Sequence, residues 1–258
     1  MLKFALLGRK GSGRTYFQKL LEKKGLKIAK SYTTREQRDE NDNMHHFVDN
    51  IESYDNRVLE TKHDGYEYFY TRSELESADV IPIDPQNLTA LCEMFPGTAF
   101  RFIEIIASNK DRLIHAVTDA DDKLTAEADF IAACEEENEA FEKFEDTAAA
   151  RKIDILNMSY GAIVNNDFTN ESDMHRWVDN IKHQLRQFSR ILTICKELSK
   201  VGVIDVDNSD NYIVGYNAGE EPHTLTPDLL ADNILLDKDS MYLTITTWLQ
   251  LEKNSFKD

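Results

Sequence analysis

A chain of 258 residues can bury one substantial core with an appendage or form two small domains, and its 41% hydrophobic content is that of a globular protein. Forty-seven acidic against thirty basic residues give a formal charge of −17. That charge repels nucleic-acid backbones and anionic lipid surfaces, so neither a nonspecific nucleic-acid binder nor a membrane-surface binder is expected.

In chain order, LKFALLG at 2–8 is a nearly continuous apolar run ending in glycine, as expected of a strand buried on both faces of a parallel sheet. Lys3 and then Gly8-Arg9-Lys10 interrupt its apolar character, and no small-residue cleavage site follows, so no leader is expected. Phe17, Leu20 and Leu21 then recur at helical spacing, with Gly25 after Lys23 and Lys24 as a stop signal. KIAKSYTT at 27–34 predicts a second strand and REQRDENDN at 35–43 a charged loop. DVIPID at 79–84, FRFIEIIAS at 100–108 and GAIVNNDF at 161–168 are further strand candidates. Strands interleaved with helices predict an α/β domain with a mostly parallel sheet.

Between Asp119 and Asp146, twelve acidic residues stand against two lysines, predicting an exposed helix or helix pair. Trp177, Ile181, Leu185, Phe188, Leu192, Cys195 and Leu198 recur at steps of three or four, predicting a long amphipathic helix over 173–200. Packing on its own sheet or formation of a homodimer would each use that stripe. Beyond Gly202 the pattern changes to two strands around an Asn/Asp/Ser turn, a short helix from Thr226-Pro227-Asp228 and a final strand in YLTITTWLQL, so a boundary is placed near residue 200. No stretch approaches the ~18 apolar residues of a membrane span. Cys92, Cys134 and Cys195 make no C-x-x-C pair, and each reads as a reduced, packed thiol suited to a cytoplasmic address.

The segment GRKGSGRT, Gly8 to Thr15, carries the chemistry. It has the spacing of a phosphate-binding loop, G-x-x-x-x-G-K-[ST], with Arg14 where lysine is usual. Such a loop gathers backbone N–H groups around phosphate oxygens at a helix N-terminus. Gly8, Gly11 and Gly13 allow close backbone approach, Ser12 lies inside the cradle, and Thr15 is the residue expected to help hold Mg²⁺. His45-His46 has no second pair at ligand spacing, and the acidic runs DADD and DVDNSDN lack the glycine and glutamate of a calcium loop, so no other metal site is expected.

SYTTREQR at 31–38 resembles the guanylate kinase signature S-x-T-T-R-x-x-R, and HHFV at 45–48 its Y-x-F-V continuation. GYEYFYT at 65–71 is similar to that family's G-N-x-Y-G-T, IDPQN at 83–87 to its I-D-x-Q-G, FIEIIAS at 102–108 to the strand before its lid, and IVNND at 163–167 to its late V-x-N-D strand. The matches occur in order over roughly residues 1–198, and the overall resemblance is to a divergent, phage-like member of the group.

The resemblance implies a P-loop sheet with helices on both faces over 1–200, an acceptor-binding region at about 31–75, a lid at about 108–146, and an appended α+β region at 201–258. It implies transfer of the ATP γ-phosphoryl group to GMP, dGMP or a related nucleotide with Mg²⁺, with small-molecule nucleotides as partners. Arg14, Arg35 and Arg38 are then the catalytic cations, and Gly8, Gly11, Ser12, Gly13, Arg14 and Thr15 the ATP loop. Ser31, Arg35, Arg38, His45, Tyr68, Thr71 and Asp84 would hold the acceptor, with Glu40 or Asp39 as a second carboxylate against the base.

The chain departs from the pattern at Arg14, at Pro82 in place of an aspartate, at Phe69 and Tyr70 in the base pocket, and at His115, Asp119 and Asp129 where lid arginines are usual. The departures lie mostly on the ATP side. An active kinase and a non-catalytic nucleotide-binding or protein-interaction module on the same scaffold are therefore both carried forward.

Overall fold

The computed structural model describes residues 1–118 except 41, 64 and 97, then 127–135 except 133, 162–166, 171–200, 205–206, 212–214 and 223–225. The chain divides into two compact units. One comprises Lys3–Phe95 and Arg101–Asp179, the other Met1–Leu2, Pro96–Phe100 and Asn180–Asp258. The predicted helix at Thr226 and the final strand lie outside the described residues, as do most of the acidic 119–146 segment and Asp119.

A four-stranded sheet runs in the order β6-β1-β7-β8, with β1 Leu2–Gly8, β6 Val80–Pro82, β7 Ala99–Ile106 and β8 Ala162–Asn165. β1 pairs in parallel with β6 and β7 in parallel with β8. Parallel strands covered on both faces read as continuous apolar runs, and every residue of β1 is buried. Lys3 does not interrupt the strand. Its Nζ donates to the carbonyls of Leu75, Glu76 and Ala78 at 2.9, 2.9 and 2.5 Å, which satisfies the C-terminal end of helix α2, Arg72–Ser77. Burial pushes its pKa down, with Asp79 and Glu76 opposing that shift.

Helix α1 spans Arg14–Lys23 and buries Phe17, Leu20 and Leu21, as the spacing predicts. It closes where the Gly25 amide reaches the Glu22 carbonyl at 2.8 Å. The predicted strand at 27–34 serves two sheets. Ile28 bridges Val80 beside β6, and after Lys30 the chain enters a second sheet as β2, Ser31–Thr33.

That second sheet has the order β3-β2-β5-β4, with β3 His45–Phe47, β4 Arg57–His63 and β5 Tyr66–Thr71. Residues directly opposite share a face and neighbours alternate. The pairs Ser31↔His45, Tyr32↔His46, Tyr32↔Phe69 and Thr33↔Tyr68 therefore sort the side chains. Tyr32, His46 and Phe69 take one face. Tyr32 stacks on Phe69 at 5.0 Å between ring centroids, and Tyr54 packs on both. Ser31, Thr33, His45, Phe47 and Tyr68 take the other.

Helices α3, Leu88–Met94, and α4, Asn109–Thr118, precede and follow β7, and residues 127–132 are helical. Helix α5 spans Glu171–Lys200, two residues longer at its start than the predicted 173–200. In the smaller unit, β9 Asp205–Val206, β10 Tyr212–Val214 and β11 His223–Leu225 form an antiparallel sheet, so the two strands expected after Gly202 are present. Among the described residues no helix is long and apolar enough to cross a membrane.

Candidate functional site

The loop from Gly8 to Thr15 joins the end of β1 to the start of α1. A side chain at Gly8 would bring Cβ within 2.7 Å of Ser12 Oγ and 3.3 Å of the Ile105 carbonyl, so the turn closes only on glycine. Gly13, at φ 91 and ψ 12, is the residue before α1 and supplies no side-chain cap. Among the described residues no side chain caps the first-turn amides of α1, which an external acceptor would satisfy. Ser12 Oγ is buried and, among the described residues, has no hydrogen-bond partner.

Several carbonyls of this loop are taken, that of Arg9 by the Ser12 amide at 3.0 Å. Asn166, just after β8, donates Nδ2 to the Ser12 carbonyl at 2.9 Å. Arg112 of α4, 1% exposed, donates Nε to the Lys10 carbonyl at 2.7 Å, lies against Gly11, and carries its guanidinium 5.2 Å from the Phe130 ring centroid. A tethered backbone with uncapped amides and an orphaned buried hydroxyl is the donor set of an anion site.

The charged stretch after β2 folds around one carboxylate. Asp42 accepts from Arg35 Nη2 at 2.8 Å and from the Arg38 amide at 3.2 Å. Arg35 also donates Nη1 to the Glu36 carbonyl at 2.8 Å, with its guanidinium 5.3 Å from the Phe47 ring centroid. Burial alone would raise the Asp42 pKa, but the hydrogen bonds from Arg35 and the Arg38 amide hold it below the usual carboxylate range. Glu40 is exposed on this loop.

His45 sits across from Ser31, whose Oγ is 2.8 Å from Nδ1, and its ring centroid is 5.7 Å from that of Tyr68. Its pKa is pushed down to about 4, first by burial and then by the charges of Arg35, Arg14 and Arg38, with Asp42 opposing. The imidazole is thus kept neutral mainly by burial, with the arginines of the glycine loop and of the 35–38 turn adding to that effect. We expect the His45 ring protons to titrate near pH 4 in an NMR series, whereas titration near 6.5 would show that the ring is neither buried nor beside the arginines. The unfolded chain takes up this proton first, so the His45 contribution to stability is complete above about pH 6.5 and is lost as pH falls towards 4.

Asp84 follows β6 and opens the short 3₁₀ turn Pro85–Asn87. Its Oδ1 lies 3.4 Å from Arg14 Nη1 and its Oδ2 3.0 Å from His63 Nε2. Burial opposes its ionisation, but the His63 hydrogen bond and the Arg14 charge outweigh it and hold the pKa down at about 2. The His63 ring is 5.8 Å from that of Tyr68. Tyr70 donates its hydroxyl to the Pro82 carbonyl, and burial raises its pKa further.

Ser31, Arg35, Arg38, His45, Tyr68, Asp84 and Arg14 thus belong to one region, whereas Thr71 does not. Thr71 is buried, lies on the Phe69 side of β5 and caps α2 by accepting the Glu74 amide. Phe69, which the motif comparison sets in the base pocket, is 1% exposed on that same opposite face. Among the described residues no group of three or more His, Cys, Asp or Glu side chains is arranged to hold a metal. Asp129 is exposed on the 127–132 helix, and the side chain of His115 lies outside what the structure describes.

The roles of four contributors escape a reading of the sequence. Asp42 is one acid among several in DENDN, and nothing in the pattern singles it out. Arg112 and Asn166 act through backbone carbonyls far away in sequence. His63 is hidden by a bulge. The pairing steps from Val58↔Tyr70 to Thr61↔Tyr68, with Leu59 at φ 54. Plain alternation from Val58 would turn Glu60 and Lys62 to the pocket face, and the extra residue turns Thr61 and His63 there instead.

No family model matches the chain, and no curated protein does. Among solved structures the chain is similar to the guanylate kinase from Anaplasma phagocytophilum, with 21% identity over 72% of this chain and 84% of that chain, at a TM-score of 0.41. A likeness of that depth adds nothing to the geometry above.

Proposed function

We propose that this protein is a guanylate-kinase-like nucleoside monophosphate kinase that transfers the ATP γ-phosphoryl group to GMP, dGMP or a related nucleotide. The observation that carries this reading is the uncapped glycine loop, with the orphaned Ser12 hydroxyl inside it and Arg14 at the head of α1, together with the turn that Asp42 organises around Arg35 and Arg38. Phosphoryl transfer asks a protein for positioning and charge neutralisation rather than covalent chemistry, and arginines set at two phosphates supply both.

In this reading the amides of Gly11, Gly13, Arg14 and Thr15, with Ser12 Oγ, hold the donor phosphates, the Ser12 amide being spent on the Arg9 carbonyl, and Arg14 lies over the transferring group. Arg38, with Arg35 behind it, clamps the acceptor phosphate, and a neutral His45 packs beside it without adding charge. An acceptor phosphate oxygen bonds to the γ-phosphorus as the bond to the β–γ bridging oxygen breaks, leaving ADP. Mg²⁺ supplies charge neutralisation on the phosphate oxygens when bound. The hydroxyl of Thr15 is the group of the loop that would hold it, and Pro82 would contribute no carboxylate.

The test is turnover with ATP·Mg²⁺ against a panel of ribo- and deoxynucleoside monophosphates, following ADP and the diphosphate product. A guanine nucleotide is expected to be phosphorylated best. Monophosphate binding with no turnover for any acceptor would overturn the kinase in favour of a nucleotide-binding or protein-interaction module on this scaffold.

A further inference from the structure

Arginine in place of the loop lysine creates a problem that lysine does not have. A compact ammonium can reach the phosphates from many rotamers, whereas a guanidinium is longer, planar and useful only when its fork faces the oxygens. Arg14 is one-third exposed, and one arm of its fork meets Asp84 Oδ1 at 3.4 Å. The other carboxylate oxygen meets His63 Nε2 at 3.0 Å. His63 reaches that place because the bulge after Val58 turns it to the pocket face, where its ring tilts against Tyr68. Both oxygens of Asp84 are therefore directed, one by each partner.

Building on the kinase reading, we propose that His63 and Asp84 are positioning residues for Arg14, a relay in which His63 orients the carboxylate and the carboxylate aims the guanidinium across the phosphate loop. Asp84 holds the Nη1 side of the fork and leaves Nη2 and Nε for phosphate oxygens. The resemblance assigns Asp84 to the acceptor base, and the relay gives it work on the donor side. The two roles predict different measurements.

Binding of ATP·Mg²⁺ to the full chain, measured by calorimetry at fixed ionic strength, separates them. Asp84→Asn and His63→Gln are each expected to weaken ATP about three- to tenfold when Arg14 is present, and to change it less than about twofold in an Arg14→Lys background. A purely structural role would act alike in both backgrounds. Removing a negative charge that merely sits near the triphosphate would tighten ATP in both. Either result overturns the relay, as does tighter ATP binding confined to the Arg14 protein, which would make Asp84 a restraint on Arg14 rather than its guide. If the wild-type chain binds no ATP at all, the donor reading fails and takes the relay with it. ATP binding that is indifferent to these substitutions removes the relay alone.

Discussion

Replacing Arg14 with alanine is expected to lower kcat for phosphoryl transfer by about 10²- to 10³-fold, the usual cost of removing one group that stabilises transition-state charge. The side chain opens α1 and reaches no carbonyl of its own loop among the contacts described, and its partner is Asp84 across the pocket. Its loss should leave the fold in place, because the loop is tied by Asn166 and Arg112 and not by Arg14. Acceptor affinity should change only several-fold, since Arg35 and Arg38 remain. Rapid-quench measurement of the chemical step, with calorimetry on the monophosphate, checks both parts. Arg14→Ala retaining kcat within about tenfold of wild type would mean that another cation covers the donor phosphates.

The two arginines of the acceptor turn should separate cleanly. Arg35 is 8% exposed and bound to Asp42, the Glu36 carbonyl and the Phe47 face. Arg35→Ala leaves Asp42 without its countercharge, so a stability loss of about 2–4 kcal/mol is expected together with acceptor binding weakened by about 10²-fold or more. Arg38 is exposed, and it contributes to the turn through its main-chain amide, which alanine retains. Arg38→Ala should therefore unfold at the wild-type urea midpoint while acceptor affinity falls about tenfold or more. Equal destabilisation by both substitutions would show that Arg38 is a structural residue and not the hand that meets the ligand.

What could be read from the sequence and what could not divide along a physical line. Features set by local chemistry were legible. The apolar run of β1, the glycines at 8 and 13, the spacing of Phe17, Leu20 and Leu21 and the long amphipathic stripe of α5 each carry their cause within a few residues. The arginines at 14, 35 and 38 were legible because their spacing is part of a motif. Strands β3, β4 and β5 were not predicted as strands. β3 is only three residues long, and β4 alternates correctly only once the bulge at Leu59 and Glu60 is known. The predicted strand at 27–34 failed to divide because its first half answers to β6 and its second to β5, and such pairings are settled by partners distant in sequence. Thr71 was misplaced for a related reason. A motif comparison fixes its position along the strand, while the face it takes follows from the pairing of Tyr32 with Phe69.

The tethers behind the glycine loop have one more consequence, which concerns hydrogen exchange. Order and protection normally travel together, because the hydrogen bonds that fix a backbone are those that shield its amides. Here the segment is fixed through its carbonyls, by Asn166 at Ser12 and Arg112 at Lys10, and through one amide, Ser12 to Arg9, while among the described residues no side chain caps the amides that open α1. The amides of Arg14 and Thr15 are thus expected to exchange readily on a tethered chain, and a bound phosphate would silence that exchange without moving the backbone.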